Sequence, residues 1–224
     1  MATRWAVWFA VAGDARFLSH HDVMRVMERA AARAALPLAH SQGFNPRPRM
    51  SLPLPRPVGV ASRCELLVMD LAEGTDVTML PGRLGPRLPR GMSVLREQAL
   101  PAGRPPRVAS STYELSLGPQ AARHVQQRLA ELQAQPRWEV RRAQRPGHED
   151  APGVVVDLRP RVRDLACAGG LLRFTIPVLP AGSARPADVL ALAGLAEAEA
   201  CAPAAASLPE LLARLERVKL DSDL

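Results

Sequence analysis

Two stretches of the sequence concentrate side chains that can do chemistry. The first is Ser19, His20, His21 and Asp22, at the predicted start of a helix. The free N–H groups and the dipole there favour an anion over an imidazolium, so a neutral histidine could act as a general acid or base near pH 7. Adjacent histidines lack the i, i+4 spacing of a metal-chelating pair. The alternative is a capped helix start with solvated imidazoles.

The second stretch runs from His40 to Arg49. Its predicted binding residues are Ser41, Gln42, Gly43, Phe44, Asn45, Pro46, Arg47 and Arg49. Gly43 permits a positive φ, Phe44 offers a flat apolar face between amides, and Arg47 and Arg49 project the same way from an extended segment. Such aromatic, amide and guanidinium groups hold single-stranded RNA. The alternative is that Phe44 fills the core and the arginines are only solvated.

Charge points to an anionic partner. The 224 residues carry a net charge of +7, and all but one of the 29 basic residues are Arg, the exception being Lys219. Planar guanidinium groups suit phosphate recognition, although a general bias towards Arg weakens that inference. Residues 29–64 contain no acidic residue. Their arginines are Arg29, Arg33, Arg47, Arg49, Arg56 and Arg63.

Composition favours a cytoplasmic globular protein without a bound metal or cofactor. Cys64, Cys167 and Cys201 lie far apart and form neither a disulfide framework nor a metal cradle. The apolar run from Trp5 to Ala12 imitates a signal peptide but also alternates as a strand. No apolar stretch approaches the ~20 residues of a membrane span, so we expect no membrane partner.

Periodicity predicts an α+β fold of two tandem ferredoxin-like (βαββαβ) units with antiparallel sheets, the second less regular. Residues 1–100 form the first predicted unit, 101–107 the linker and 108–224 the second unit. The first unit is read as strand Arg4–Val11, a helix from Ser19 to Leu36, an edge strand near Met50–Leu54, strand Cys64–Leu71, a short helix from Asp76 to Leu84 strained by Pro81, and strand Met92–Gln98.

The second unit repeats this scheme in part. Its predicted elements are strand Thr112–Leu117, a helix from Pro119 to before Pro136, strands Trp138–Arg142, Val154–Leu158 and Leu171–Val178, a helix from Pro186 to Ala198, and a last helix opened by Ser207 and Glu210 and ending near Leu220. We also assign Arg25, Asp157, Arg159 and Arg185 to the predicted binding surface. Asp157 and Arg159 share a strand face, where a local salt bridge is the alternative.

Several of these segments together resemble one family. They are residues 17–22, the amphipathic helix that follows, residues 41–49, the Pro-x-Gly at 57–59, residues 156–160 and residues 184–186. They look like the radical SAM-linked proteins, a bacterial family found beside, or fused to, cobalamin-binding radical SAM proteins. His21 departs from the pattern, which has an apolar residue there, so His20 is the matching position.

The resemblance implies a non-catalytic accessory protein in RNA modification whose partner is a cobalamin-binding radical SAM protein. The acid-free run 29–64 and the loop 40–49 point to RNA as the second partner, recognised by that loop beside the helix start. Radical SAM chemistry needs three closely spaced cysteines, which this chain lacks. One alternative is a metal-independent endoribonuclease, similar to CRISPR-repeat-processing enzymes, that uses His20 or His21 with Tyr113 as a donor. Another is a protein adaptor whose arginine loop docks on an acidic partner.

Overall fold

We describe residues 3–100, 105–142, 154–195 and 207–224 in a computed structural model of the chain. The fold is α+β with antiparallel strand pairing throughout the registers described below. Contacts divide the chain into unit 1, residues 1–108 with 219–224, and unit 2, residues 109–218. The predicted linker falls partly on residues 101–104, which lie outside the described residues.

Unit 1 packs one helix on one face of a sheet. Its elements are β1 (Arg4–Val11), α1 (His20–Arg33), β2 (Met50–Ser51), β3 (Ala61–Asp70) and β4 (Met92–Leu100). β1 lies between β4 and β3, and β2 pairs with the far end of β3. Alternation sends Trp5, Val7, Phe9 and Val11 into the core, where they meet Val23 and Met27 of α1.

The predicted helix over 76–84 is wrong. Only the 3₁₀ turns Val77–Met79 and Gly85–Arg87 form between β3 and β4. Pro81 and Pro86 cannot donate the backbone bonds of a longer helix, and Gly82 stands at φ +77°. Leu80 and Leu84 nevertheless fill the core beside α1, so the segment buries the apolar side chains that a second helix would bury.

Unit 2 is built on strands β5, β9 and β8 in that order, with helices α2, α3 and α4 and a separate two-stranded antiparallel sheet of β6 and β7. Its elements are β5 (Val108–Ser116), α2 (Pro119–Gln133), β6 (Glu139–Arg142), β7 (Val154–Asp157), β8 (Arg163–Ala168), β9 (Leu171–Pro177), α3 (Pro186–Leu192), α4 (Leu208–Arg214) and the start of β10 (Glu216–Ser222), whose residues from Lys219 onward belong to unit 1. The sequence did not predict β8. The predicted end of the third helix, residues 196–198, lies outside the described residues.

The predicted C-terminal helix is wrong in its second half. The Glu210 carboxylate accepts hydrogen bonds from the N–H and hydroxyl of Ser207, which starts α4 as expected. The helix ends at Arg214, and the chain then extends as β10. The tandem ferredoxin-like arrangement is not confirmed, because within the described parts of residues 1–108 only one α-helix is present.

Candidate nucleic-acid-binding site

The loop from His40 to Arg49 lies at one end of unit 1 and is held at its base by hydrogen bonds. The N–H of Ser41 donates to the carbonyl of Arg47 (2.8 Å), and the N–H of Arg47 donates to the Ser41 hydroxyl (3.0 Å). The N–H of Arg49 donates to the carbonyl of Ala39 (2.8 Å). These bonds fix the base of the loop and leave residues 42–46 as its tip.

The tip presents its side chains to solvent. Phe44 is 100% exposed, so the alternative that it fills the core is wrong. Gln42, Asn45 and Pro46 around it are exposed too. Gly43 holds φ at +135°, a conformation that other residues rarely adopt, which turns the chain at the tip. An isolated, wholly exposed phenyl ring gains nothing in folding, but it offers a stacking face to a ligand.

The two loop arginines differ. Arg47 is exposed, and its guanidinium makes no hydrogen bond or ion pair within the described residues. Arg49 places its Nε 3.2 Å from Oδ2 of Asp70, although 59% of its side chain stays exposed. Asp70 also accepts from Nε of Arg4 at 2.8 Å. Arg47 is therefore open to a ligand, whereas Arg49 is partly neutralised by the Asp70 carboxylate at the end of β3.

The loop and the start of α1 lie at opposite ends of unit 1, which corrects their predicted adjacency. The N–H of Asp70 donates to Arg49, so the loop sits where β3 ends. His20 lines a cavity with Val11, which pairs with Ser62 near the start of β3. β1 pairs with β3 from Arg4 to Val11, and eight residues of strand separate these ends by roughly 23 Å.

The start of α1 is a compact polar cluster. Nη1 of Arg56 donates to the carbonyls of Arg16 (2.7 Å), Pro57 (3.1 Å) and Val60, and Nη2 donates to Leu18 (3.3 Å). The guanidinium thus joins the chain before α1 to the segment around 57–60. Two of the stretches that carry the family resemblance, residues 17–22 and 57–59, are brought together in this way.

His20 and His21 occupy different environments in this cluster. His21 is exposed, whereas Nδ1 of His20 is buried and has no hydrogen-bond partner. The cavity beside His20 is also lined by buried Arg56 and by Glu65, which is 4% exposed. Its space suits about one water molecule and is far too small for a nucleotide. Sequence reasoning missed Glu65 and the burial of Arg56, because charged residues ordinarily indicate surface.

The Ser19 cap at the start of α1 forms as expected and lowers the pKa of Asp22. The N–H of Asp22 donates to the Ser19 hydroxyl (3.2 Å), and that hydroxyl donates to Oδ2 of Asp22 (2.6 Å). The hydroxyl bond, followed by the Ser19 backbone bond and the charge of Arg25, lowers the pKa of Asp22. Arg25 is exposed and stands 3.5 Å from Asp22.

The remaining predicted residues belong to unit 2, where the prediction that Asp157 and Arg159 share a strand face is wrong because β7 ends at Asp157 and Arg159 begins the 3₁₀ turn Arg159–Arg161. Oδ1 of Asp157 accepts from the backbone N–H groups of Trp138 (2.9 Å) and Arg159 (3.0 Å), which lowers the pKa of Asp157, while the Arg159 guanidinium donates to the carbonyl of Gln135. The Arg185 side chain is exposed without a bond to any described residue. Its backbone N–H donates to Asp188 (2.9 Å).

Tyr113 is a core residue rather than a surface donor. It is 2% exposed and stacks on Phe174 with ring centroids 5.4 Å apart. Its hydroxyl accepts from Nε (3.2 Å) and Nη2 (3.0 Å) of Arg217 and from Ser111 (3.3 Å). An enclosed phenol cannot reach an RNA ribose, so the proposed catalytic role of Tyr113 has no geometric support.

Together the fold and site define an α+β protein with an exposed aromatic and basic loop. The chain matches, over residues 4–186, the model of a family described as an uncharacterized protein conserved in bacteria (DUF2344), and it belongs to that family. No curated protein matches the chain. No helix within the described residues is long and apolar enough to cross a membrane. Within the same residues, no three His, Cys, Asp or Glu side chains converge as metal ligands.

Proposed function

We propose that the protein binds single-stranded RNA through the tip of the 40–49 loop and serves as a non-catalytic accessory partner of a cobalamin-dependent radical SAM enzyme. The observation that carries the RNA part is the wholly exposed ring of Phe44 on a braced loop, next to an unpaired Arg47. A base stacks on such a ring and a phosphate meets such a guanidinium. Gln42 and Asn45 supply donors and acceptors for base edges.

The accessory part rests on the resemblance to radical SAM-linked proteins. The sequence supports it in one respect: three dispersed cysteines cannot hold the cluster that starts radical chemistry, so such a reaction would need a second protein. We include in the same proposal that unit 1 is a variant of the ferredoxin-like fold. It is supported by the position of β2 on β3 and of β1 between β3 and β4.

The test is the affinity of the full chain for a fluorescein-labelled single-stranded oligouridylate, measured by anisotropy. Replacing Phe44 by Ala removes one stacking platform, worth about 1–3 kcal/mol, so we expect the Kd to rise roughly 5- to 150-fold. Phe44→Trp, which keeps an aromatic face, should preserve binding.

Phe17→Ala is the matched control. Phe17 is also an exposed phenylalanine, at 54%, but it lies beside Gly59 at the other end of unit 1. An equal loss of affinity in Phe17→Ala and Phe44→Ala would contradict a specific role for the loop. Equal affinity of Phe44→Ala and the unmodified chain would remove the stacking proposal altogether.

A further inference from the structure

A cluster of arginines where α1 ends has no part in the loop described above. Nη2 of Arg33 donates to the carbonyl of Arg87 (3.1 Å), and Nη2 of Arg83 donates to the carbonyls of Ala34 (2.7 Å) and Ala35 (3.1 Å). Arg29 lies one turn before Arg33 on α1, roughly 6 Å away along the helix axis. We call Arg29, Arg33, Arg83 and Arg87 the α1 arginine cluster.

The cluster has no carboxylate partner within the described residues. No ion pair joins any of its four guanidinium groups to an acidic side chain there. Arg29 and Arg87 are exposed, and their side chains make no hydrogen bond within the described residues. Glu28 is adjacent in sequence but sits about 100° round the helix axis from Arg29.

Two members of the cluster have a structural reason to be there. Arg33 and Arg83 bind carbonyls near the end of α1, where the helix dipole favours cations. That reason does not extend to Arg29, one helical turn before Arg33, or to Arg87, whose backbone carbonyl Arg33 binds; both side chains are exposed and unpaired within the described residues. Like charges on one surface repel one another weakly in water, and an anion bound among them relieves that repulsion. Guanidinium groups form strong, often bidentate, hydrogen bonds with phosphate oxygens, so several of them together favour a phosphate ligand.

The cluster lies at the same end of unit 1 as the loop. The N–H of Ala72 donates to the carbonyl of Pro37, and the N–H of Ala39 donates to Asp70, so the chain leaving α1 is held where β3 ends. The guanidinium of Arg83 donates to the carbonyl of Ala35, which lies in this segment after α1. A strand whose bases meet the loop would therefore pass close to the cluster.

We infer that the α1 arginine cluster binds the phosphodiester backbone of the same single-stranded RNA, as a sequence-independent contact beside the base-binding loop. This inference rests on the proposed RNA binding and adds a second surface to it. The loop sets stacking affinity, while the cluster sets much of the dependence on salt, because each phosphate neutralised releases counterions.

The test measures oligouridylate affinity from 50 to 300 mM KCl for the unmodified chain and for Arg29→Gln/Arg87→Gln, which leaves the carbonyl bonds of Arg33 and Arg83 intact. The slope of log affinity against log salt should become shallower by about 0.7 for each phosphate that the variant no longer neutralises. The control Arg123→Gln/Arg163→Gln removes the same charge from exposed positions of unit 2 and should leave the slope unchanged. Circular dichroism verifies that both variants fold.

The outcomes separate the two proposals. An unchanged slope in Arg29→Gln/Arg87→Gln, or an equal change in the unit 2 control, overturns the cluster inference while RNA binding by the loop stands. A shallower slope together with full affinity in Phe44→Ala supports the cluster and rejects the loop. If the unmodified chain binds no oligouridylate even at 50 mM KCl, both proposals fail, and an acidic protein becomes the partner to seek.

Discussion

At the scale of single residues, the start of α1 gives the most direct test of the local electrostatics. Ser19 serves twice, as acceptor for the N–H of Asp22 and as donor to its carboxylate. Bonds to the ionised form stabilise that form, which is why the pKa of Asp22 is lowered. The carboxylate also lies in the first turn, where the helix dipole favours a negative charge.

Ser19→Ala should raise the pKa of Asp22 towards its ordinary value. A lowered pKa in the folded chain means that the stabilisation is present above the unfolded pKa and is lost as pH falls through the folded pKa. At pH 7 the urea concentration at the unfolding midpoint should therefore be lower for Ser19→Ala than for the unmodified chain. The difference between the two midpoints should become smaller at pH 2.5. The pKa itself is read from the Asp22 carboxyl carbon by NMR titration.

Glu210 serves as an internal reference for that titration. Its pKa is lowered by hydrogen bonds from the backbone N–H and the hydroxyl of Ser207, which precedes α4. The pKa of Glu210 should be the same in Ser19→Ala as in the unmodified chain. An Asp22 titration that is the same with and without the Ser19 hydroxyl would refute the assigned cause.

The residue scale also separates His20 from His21. His20 borders a cavity with buried Arg56 and Glu65, and its Nδ1 is enclosed without a bond. His21 is exposed, with its ring centroid 5.7 Å from that of His20. Sequence alone cannot make this distinction, because adjacent positions differ only in the face of the helix they occupy, and that depends on how α1 packs.

At the scale of elements, α3 depends on a buried ion pair. Oδ2 of Asp188 accepts from Nε (3.0 Å) and Nη2 (2.7 Å) of Arg142 and from the N–H of Arg185 (2.9 Å). The Asp188 side chain is 8% exposed and that of Arg142 is 19% exposed. The carboxylate therefore holds the first turn of α3 and the end of β6 at once.

Asp188→Ala should destabilise unit 2 by about 3 kcal/mol, because it leaves a largely buried guanidinium without its partner. The double variant Arg142→Met/Asp188→Ala removes both charges and should recover part of that loss. Urea denaturation measures the free energy of unfolding of Asp188→Ala, of Arg142→Met and of the double variant, which together with the unmodified chain form a double-mutant cycle. If the double variant loses as much as the sum of the two single variants, the pair does not act as a unit.

Local signals were sufficient to predict many of the elements. Alternation placed β1 at its observed limits, and the Ser19 cap with 3.6-residue spacing placed α1. β10 was missed because the capping signal of Ser207 and the spaced leucines after it extend a helical pattern, and because Arg217 is a charged residue that is only 1% exposed. Its burial depends on Tyr113, more than a hundred positions away.

The candidate site was predictable in composition but not in arrangement. The sequence indicated an arginine-bearing loop around Phe44 but left open whether that ring faces solvent or fills the core. It could not indicate that Asp70 would take one of the two arginines, since that contact depends on how the loop meets the end of β3. Nor could it assemble the α1 arginine cluster, whose members come from α1 and from the turns before β4.

At the scale of the whole molecule, the chain crosses between its two units at both ends of unit 2. Residues 219–224 return to unit 1 after unit 2 is complete. There the Arg107 N–H donates to Oδ1 of Asp223 (2.7 Å), and the Asp223 N–H donates to the Arg107 carbonyl (3.2 Å). Leu220 packs on the cluster of Ala6, Leu66 and Val68, on the face of the sheet away from α1.

A chain truncated after Val218 should consequently lose stability in unit 1 although the deletion is in the last six residues. Amide hydrogen exchange should be faster in β3 and β1, because Leu220 no longer covers Ala6, Leu66 and Val68. The amides of β8 and β9, whose pairing lies wholly in unit 2, serve as the control and should retain their protection. Unchanged exchange in β3 would mean that the C-terminal residues add nothing to unit 1. Uniform loss in both units would mean instead that the two unfold together, so that the division into units has no energetic counterpart.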